Sequence, residues 1–307
     1  LSGAHLQHVD TLTVLGSNNA DIQALTIAGS AAGGSGNQGA LAGSLSLNEI
    51  NGGVEAAIKE GSDITALGDV SVQAFDVTRI KADAGGVAIA VSIAGKADAG
   101  NDSSGTSGSG TVGFSIALND IGQEEAPRTT RAQINHSTVV SSTGGVTVKA
   151  DSSFEGHDAS IEALSIAGGI AVSSGNKQGT AFTVAGVGAS SYNNVYKTID
   201  STIMGDASVT AQNDVFLSAQ DNTNIVADAG GVGISVTISG SKSGGLSIGA
   251  SLSTNTISSI VAATIAQATE ISTAGSVEVS ATSTGIIDAF TFRGAVSVAA
   301  YAAANKQ

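Results

Sequence analysis

The 307-residue chain carries 12 Lys and Arg against 26 Asp and Glu, a formal net charge of −14, with 41 Gly, 1 Pro, no Cys and no Trp. Without thiols there is neither a disulfide scaffold nor a thiolate zinc site; the acidic balance argues against nucleic-acid binding, which needs cations to displace counterions; and no apolar run reaches the ~18 residues of a helical membrane span. A hydrophobic fraction of 41% with 12% charged residues sets the chain apart from disordered sequences, which combine low hydrophobicity with high charge.

In chain order, the first landmarks are Leu12-Thr13-Val14, Ile22 with Ala24, and a small-residue run over residues 24–29. A Gly/Ser/Asn turn (33–39), Asn48-Glu49-Ile50, Ala56 with Ile58, and Ser62 with Ile64 complete the first unit. The order then returns. A second unit opens at Val70-Ser71-Val72-Gln73-Ala74 and passes through Ile80/Ala82, an A-D-A-G-G-V run (82–87), a turn at 100–110, Asn119-Asp120-Ile121, Ala132/Ile134 and Ser137/Val139. A third opens at Val146-Thr147-Val148-Lys149-Ala150, with Ile161/Ala163, a turn at 175–179, Asn194-Val195 and Ser201/Ile203. A fourth opens at Val215-Phe216-Leu217-Ser218-Ala219, with Ile225/Ala227, a second A-D-A-G-G-V (227–232), a turn at 240–245, Asn255-Thr256-Ile257, Ala263/Ile265 and Thr269/Ile271. Val277-Glu278-Val279-Ser280-Ala281 with Ile287/Ala289 begins a fifth.

Ordered recurrence of this kind marks a repeat architecture. The starts near 12, 70, 146, 215 and 277 lie 58, 76, 69 and 62 residues apart. Inside each unit apolar and polar residues alternate: Val146, Val148 and Ala150 share one face, Thr147, Lys149 and Asp151 the other. One thin Ala/Val/Ile face cannot bury itself, whereas stacked copies shelter one another. The expectation is an all-β parallel β-helix or β-solenoid over residues 1–307, about four and a half degenerate repeats of roughly 60–75 residues, each holding two or three coils of ~20–25 residues. A propeller is weaker, for want of aromatic signatures. Residues 122–130, with the single Pro127, read as a surface loop, and 98–111 as a second insertion. Neither end reads as capped, which suggests a slice of a longer array or, as the alternative, a filament subunit joining end to end.

The succession V-x-V-x-A, I-x-A-x-A-G-G, Gly/Ser turn, N-x-I, A-x-I, S-x-V resembles the repeats of giant bacterial surface proteins, filamentous-haemagglutinin-like and large adhesin or autotransporter-type, over essentially the whole chain. The resemblance implies secretion, a β-solenoid rod at the cell surface, and contact with a host cell, a neighbouring cell or matrix through an unidentified receptor. The resemblance carries no diagnostic catalytic or binding motif, and the expectation from the residues themselves is no enzyme, no cofactor and no membrane insertion of this segment. The G-G-x-G-x-D calcium array of other secreted repeats is absent.

The chemistry-bearing residues form no convincing constellation. Two G-x-G-x-x-G matches (34–39 and 108–113) lack the strand-to-helix context of a nucleotide site. His5 and His8 would share a face only in a helix; His136 stands alone; His157 and Asp158 sit beside Ser152, Ser153 and Glu155 without a nucleophile elbow. Many β-helix enzymes act on polysaccharides through paired carboxylates, which makes Asp83, Asp151, Asp158, Asp221 and Asp228 candidates; Asp83 and Asp228 occupy equivalent repeat positions, as structural residues do. Tyr192, Tyr196 and Tyr301 are few for stacking on sugars, and Asp98 and Asp102 are an unspecific calcium candidate. The expectation is no catalytic, cofactor or metal residue, with a polysaccharide-active β-helix as the remaining alternative.

Overall fold

The computed structural model describes residues 1–94, 106–153, 160–176, 179–267 and 270–301. Among them there are seventeen strands and no helix, and every strand pairing is parallel. The chain winds as a solenoid with three walls. A short wall stacks β1 (His5–Val9), β5 (Asp63–Ala66), β9 (Thr138–Ser141), β13 (Ser208–Ala211) and β16 (Glu270–Thr273). A first long wall stacks β2 (Leu12–Ser35), β6 (Val70–Ile93), the pair β10 (Val146–Asp151) and β11 (Ile161–Ser174), β14 (Val215–Ser239) and β17 (Val277–Tyr301). The second long wall stacks β3 (Asn37–Ile50) with β4 (Gly53–Ile58), β7 (Ser107–Ile121) with β8 (Arg128–Asn135), β12 (Thr180–Met204) and β15 (Lys242–Ile265).

The repeat landmarks are in register. Leu12, Val70, Val146, Val215 and Val277 stack in one column, and Ile22, Ile80, Ile161, Ile225 and Ile287 in another. Two assignments within the third unit shift. Asn193, not Asn194, stacks between Asn119 and Asn255, and Ser201/Ile203 stacks on Ala132/Ile134, so the final landmark of that unit is Ala207/Val209. In each case the later residue of a doublet (Asn193-Asn194) or the nearer of two similar pairs imitates the motif.

The expectation of several short coils per unit is overturned: each unit is one coil. Its long strands run for 24 or 25 residues, about 80 Å at 3.3 Å per residue. The small-residue runs that suggest breaks are not turns. Gly85 and Gly86 lie inside β6 with no left-handed backbone, and alternation continues through them. Of the matched turns, residues 107–113 are strand in β7; the bend between the long walls in the first coil is at Gly36, whose φ of +85° favours glycine. The loop at 122–130 is exposed at 123–127 and re-enters β8 at Arg128. Residues 98–105, with Asp98 and Asp102, lie outside the described residues, as do Glu155, His157, Asp158 and Thr269.

The core tapers. Beside the short wall it is filled by Ile58, Ile64, Val70, Val72, Ile134 and Val148, all fully buried. Further out it narrows to an Ile80/Ile121/Ile161/Val195/Ile225 layer, and then to Ala88, Ala90, Ala167 and Ala189. In the narrow part the backbones nearly touch: a Cβ at Gly86 would fall 2.2 Å from the Phe114 carbonyl oxygen, and one at Gly113 2.3 Å from that of Gly168. Two walls that meet at a bend without a third wall between them leave room mostly for hydrogen, methyl or hydroxyl groups, and the one larger inward group among the buried residues there, Val187, is accommodated opposite Gly169, Gly231 and Gly233.

This geometry is testable. Gly113→Ala should destabilise the chain by about 1–3 kcal/mol through overpacking, whereas Gly188→Ala, facing open space on the outside of β12, should be close to neutral. Urea midpoints of the two variants decide; equal midpoints would remove the close approach.

Candidate functional site

Besides scattered buried hydroxyls, the described interior of the solenoid holds an amide column and an ionic cluster between the apolar layers. Asn48, Asn119, Asn193 and Asn255 stack in register, each Nδ2 donating to the next Oδ1 at 2.7–2.8 Å. The second Nδ2 hydrogen of Asn48, Asn193 and Asn255 goes to the serine two residues earlier, Ser46, Ser191 or Ser253. A buried amide left unpaired is costly, so each coil requires its neighbour at the same register.

The second feature is ionic. Asp76 and Asp221 point inward from the first long wall, and Arg128 and Lys197, direct register partners, point inward from the second. All four side chains are about 1–2% exposed. Arg128 grips Asp76 with Nε to Oδ2 at 2.6 Å and Nη2 to Oδ1 at 2.8 Å, while its Nη1 donates to the Asn51 carbonyl at 2.6 Å. Asn18 and Thr78 also donate to Asp76 Oδ1. Burial pushes the Asp76 carboxyl up, but the guanidinium and the Asn18 amide outweigh it and hold the group below the usual carboxylate range. Lys197 Nζ lies 3.7 Å from Asp221 Oδ1 and donates to Ser152 Oγ at 2.9 Å and Thr223 Oγ1 at 3.2 Å. Its burial pushes the ammonium below the ordinary lysine value although Asp221 opposes the shift. The cluster is closed to solvent, so what it can do is specify pairing between coils rather than meet a substrate.

The outer surface brings few of the sequence candidates together. Asp83 and Asp228 share one outward column with Leu164 between them, which keeps them two strands apart. Asp151 pairs with Lys149 at 2.8 Å, and Asp221 is in the interior cluster. His5 and His8 are both exposed on β1, where a bulge between Leu6 and Val9 and a left-handed φ of +58° at His8 interrupt the alternation. His136 occupies a corner with φ +46°, its Nδ1 2.6 Å from Asn135 Oδ1. Tyr192 and Tyr196 face outward from β12 four residues apart. Among the described residues no three His, Cys, Asp or Glu side chains are grouped to hold a metal. A groove of about 560 Å³ runs along the corner between the short and first long walls, but its aspartates already serve neighbouring coils: Asp69 Oδ1 accepts from the Gly145 N–H and Asp214 Oδ1 from the Ser276 N–H.

Sequence reasoning missed Asp76, Arg128 and Lys197. The signal was parity: Asp76 follows Val70 by six residues and Asp221 follows Val215 by six, so both carry charge at inward positions of an alternating strand. No protein-family model, no curated protein and no solved structure matches the chain.

Arg128→Met strands a buried carboxylate and should cost about 3–5 kcal/mol, and the double change Asp76→Leu with Arg128→Met should recover most of that loss. A carboxyl with a depressed folded pKa contributes stability fully above its unfolded value near 3.9 and loses it as the pH falls through the lower folded value. Urea midpoints should therefore fall more steeply below about pH 4 in the wild type than in the double variant.

Proposed function

We propose that the chain is a structural, non-enzymatic rod segment of a large extracellular bacterial surface adhesin, acting in contact between a cell and a surface or another cell. The observation that supports this reading most is that equivalent residues remain in register from coil to coil while the charged side chains with unusual environments are sealed inside. A ladder of this kind resists pulling and proteolysis, because releasing one coil means breaking a whole row of backbone hydrogen bonds and uncovering the columns beneath it. The outer carboxylates and tyrosines are spread along the walls without converging, which suits a shaft better than a catalytic groove. The resemblance of the repeat succession to giant surface proteins supplies the extracellular setting.

Single-molecule pulling should unravel the chain in steps that each release one coil, about 60–70 residues or roughly 20–25 nm of extended chain. Beads coated with the folded chain should adhere to cell or matrix surfaces more strongly than beads coated with the acid-unfolded chain. Equal adhesion would sink the adhesin reading, and turnover of an acidic polysaccharide by the purified chain would sink its non-enzymatic part.

A further inference from the structure

The long walls reverse polarity along their length. Near the short wall the inward residues are Ile and Val, and the outward ones include Gln73, Arg79, Lys81 and Glu162. Toward the bend the inward residues of β6 and β11 become Ala, Gly and Ser, and the outward ones become large and apolar. In the three central coils, flanked on both sides so that exposure owes nothing to the ends, Val87, Ile93, Ile166 and Ile238 are 44–58% exposed. On the outside of this half of the first long wall no charged residue follows Asp83 in β6, Glu162 in β11 or Asp228 in β14. We propose that this outer face is an interface with a second copy of the chain, the two walls packing face to face.

Area and texture both point to that occupant. Five strands about 4.8 Å apart and about ten residues long make a face near 24 by 33 Å, about 800 Å². That equals one partner's share of a standard protein interface and exceeds the few hundred Å² usual for the largest apolar patch of a monomer. The bulk alternates by coil. Ile27, Ile166 and Phe292 share a column with Gly85 and Gly230, while in the next outward column Val87 and Val232 alternate with Gly29, Gly168 and Gly294. The result is a checkerboard of ridges and hollows that a copy displaced by one coil can enter, as facing sheets do at about 10 Å separation. This pairing rests on the fold, not on the adhesin reading, and would give rods a lateral partner whatever they adhere to.

The chain lacks cysteine, so single cysteines report contacts without background. Sedimentation velocity of the wild type over a range of concentrations should show a reversible dimer. Ile89→Lys with Ile234→Lys, both outward in the central coils, should weaken it at least about tenfold while the circular dichroism and urea midpoint stay unchanged. A short bis-maleimide should link Ile166→Cys chains to each other but not Lys149→Cys chains on the same wall near its base, nor Thr282→Cys chains on β17. A monomer at about 100 µM, dimers that survive the double lysine variant, linking through Thr282→Cys, or partition into phosphatidylcholine vesicles in place of dimerisation would each overturn the proposal. Loss of adhesion with dimerisation intact would strike the adhesin reading alone.

Discussion

Parallel, in-register pairing sets each side chain about 4.8 Å from its counterpart in the next coil, and the rest of the molecule answers to that spacing. Apolar columns satisfy it cheaply, since stacked isoleucines bury one another. Amides satisfy it by hydrogen-bonding along the stack, as Asn48, Asn119, Asn193 and Asn255 do. Charges are harder. Asp76 and Asp221 are kept apart by the third coil, which places Ser152 between them, whereas Arg128 and Lys197 are adjacent, so each cation must be answered across the interior. The proximity of Arg128 contributes to the lowered Lys197 value, after burial itself. A slip of one residue would turn every one of these groups to the outside, and that penalty gives the stack a single register.

The taper follows from having three walls of very unequal length. Near the short wall there is space for branched side chains, and hydrophobic burial supplies the cohesion. Near the bend the long walls converge until mostly glycine, alanine, serine and threonine fit, and cohesion passes to backbone pairing and to hydroxyl contacts across the gap, such as Ser115 with Ser165 and Thr183 with Thr237. With the inside too thin for large groups, apolar bulk in this half lies outside. A protein that reads as having a modest core therefore carries a good part of its hydrophobic surface on its exterior.

Much of the fold was legible because a register column is also a sequence motif. V-x-V-x-A and I-x-A recur at the same inward parity in every unit, and the structure stacks them. The coil length was not legible: a glycine pair has the same composition whether it turns the chain or lets two walls approach, and Gly85-Gly86 does the latter. The ionic cluster was half legible. Asp221 stood out as a carboxylate, but its partner Lys197 lies on another wall, and neither local spacing nor alternation says which inward cation meets which inward anion.

By itself the amino-acid sequence determined an all-β repeat architecture, because alternation and turn chemistry are local and stacking copies is the way for such thin strips to shelter their apolar faces. Only the tertiary structure decided how many residues make one coil, which charges are buried together, and which side of the narrow half faces water. Each of those depends on how far apart two walls lie, a distance that no stretch of a single strand encodes.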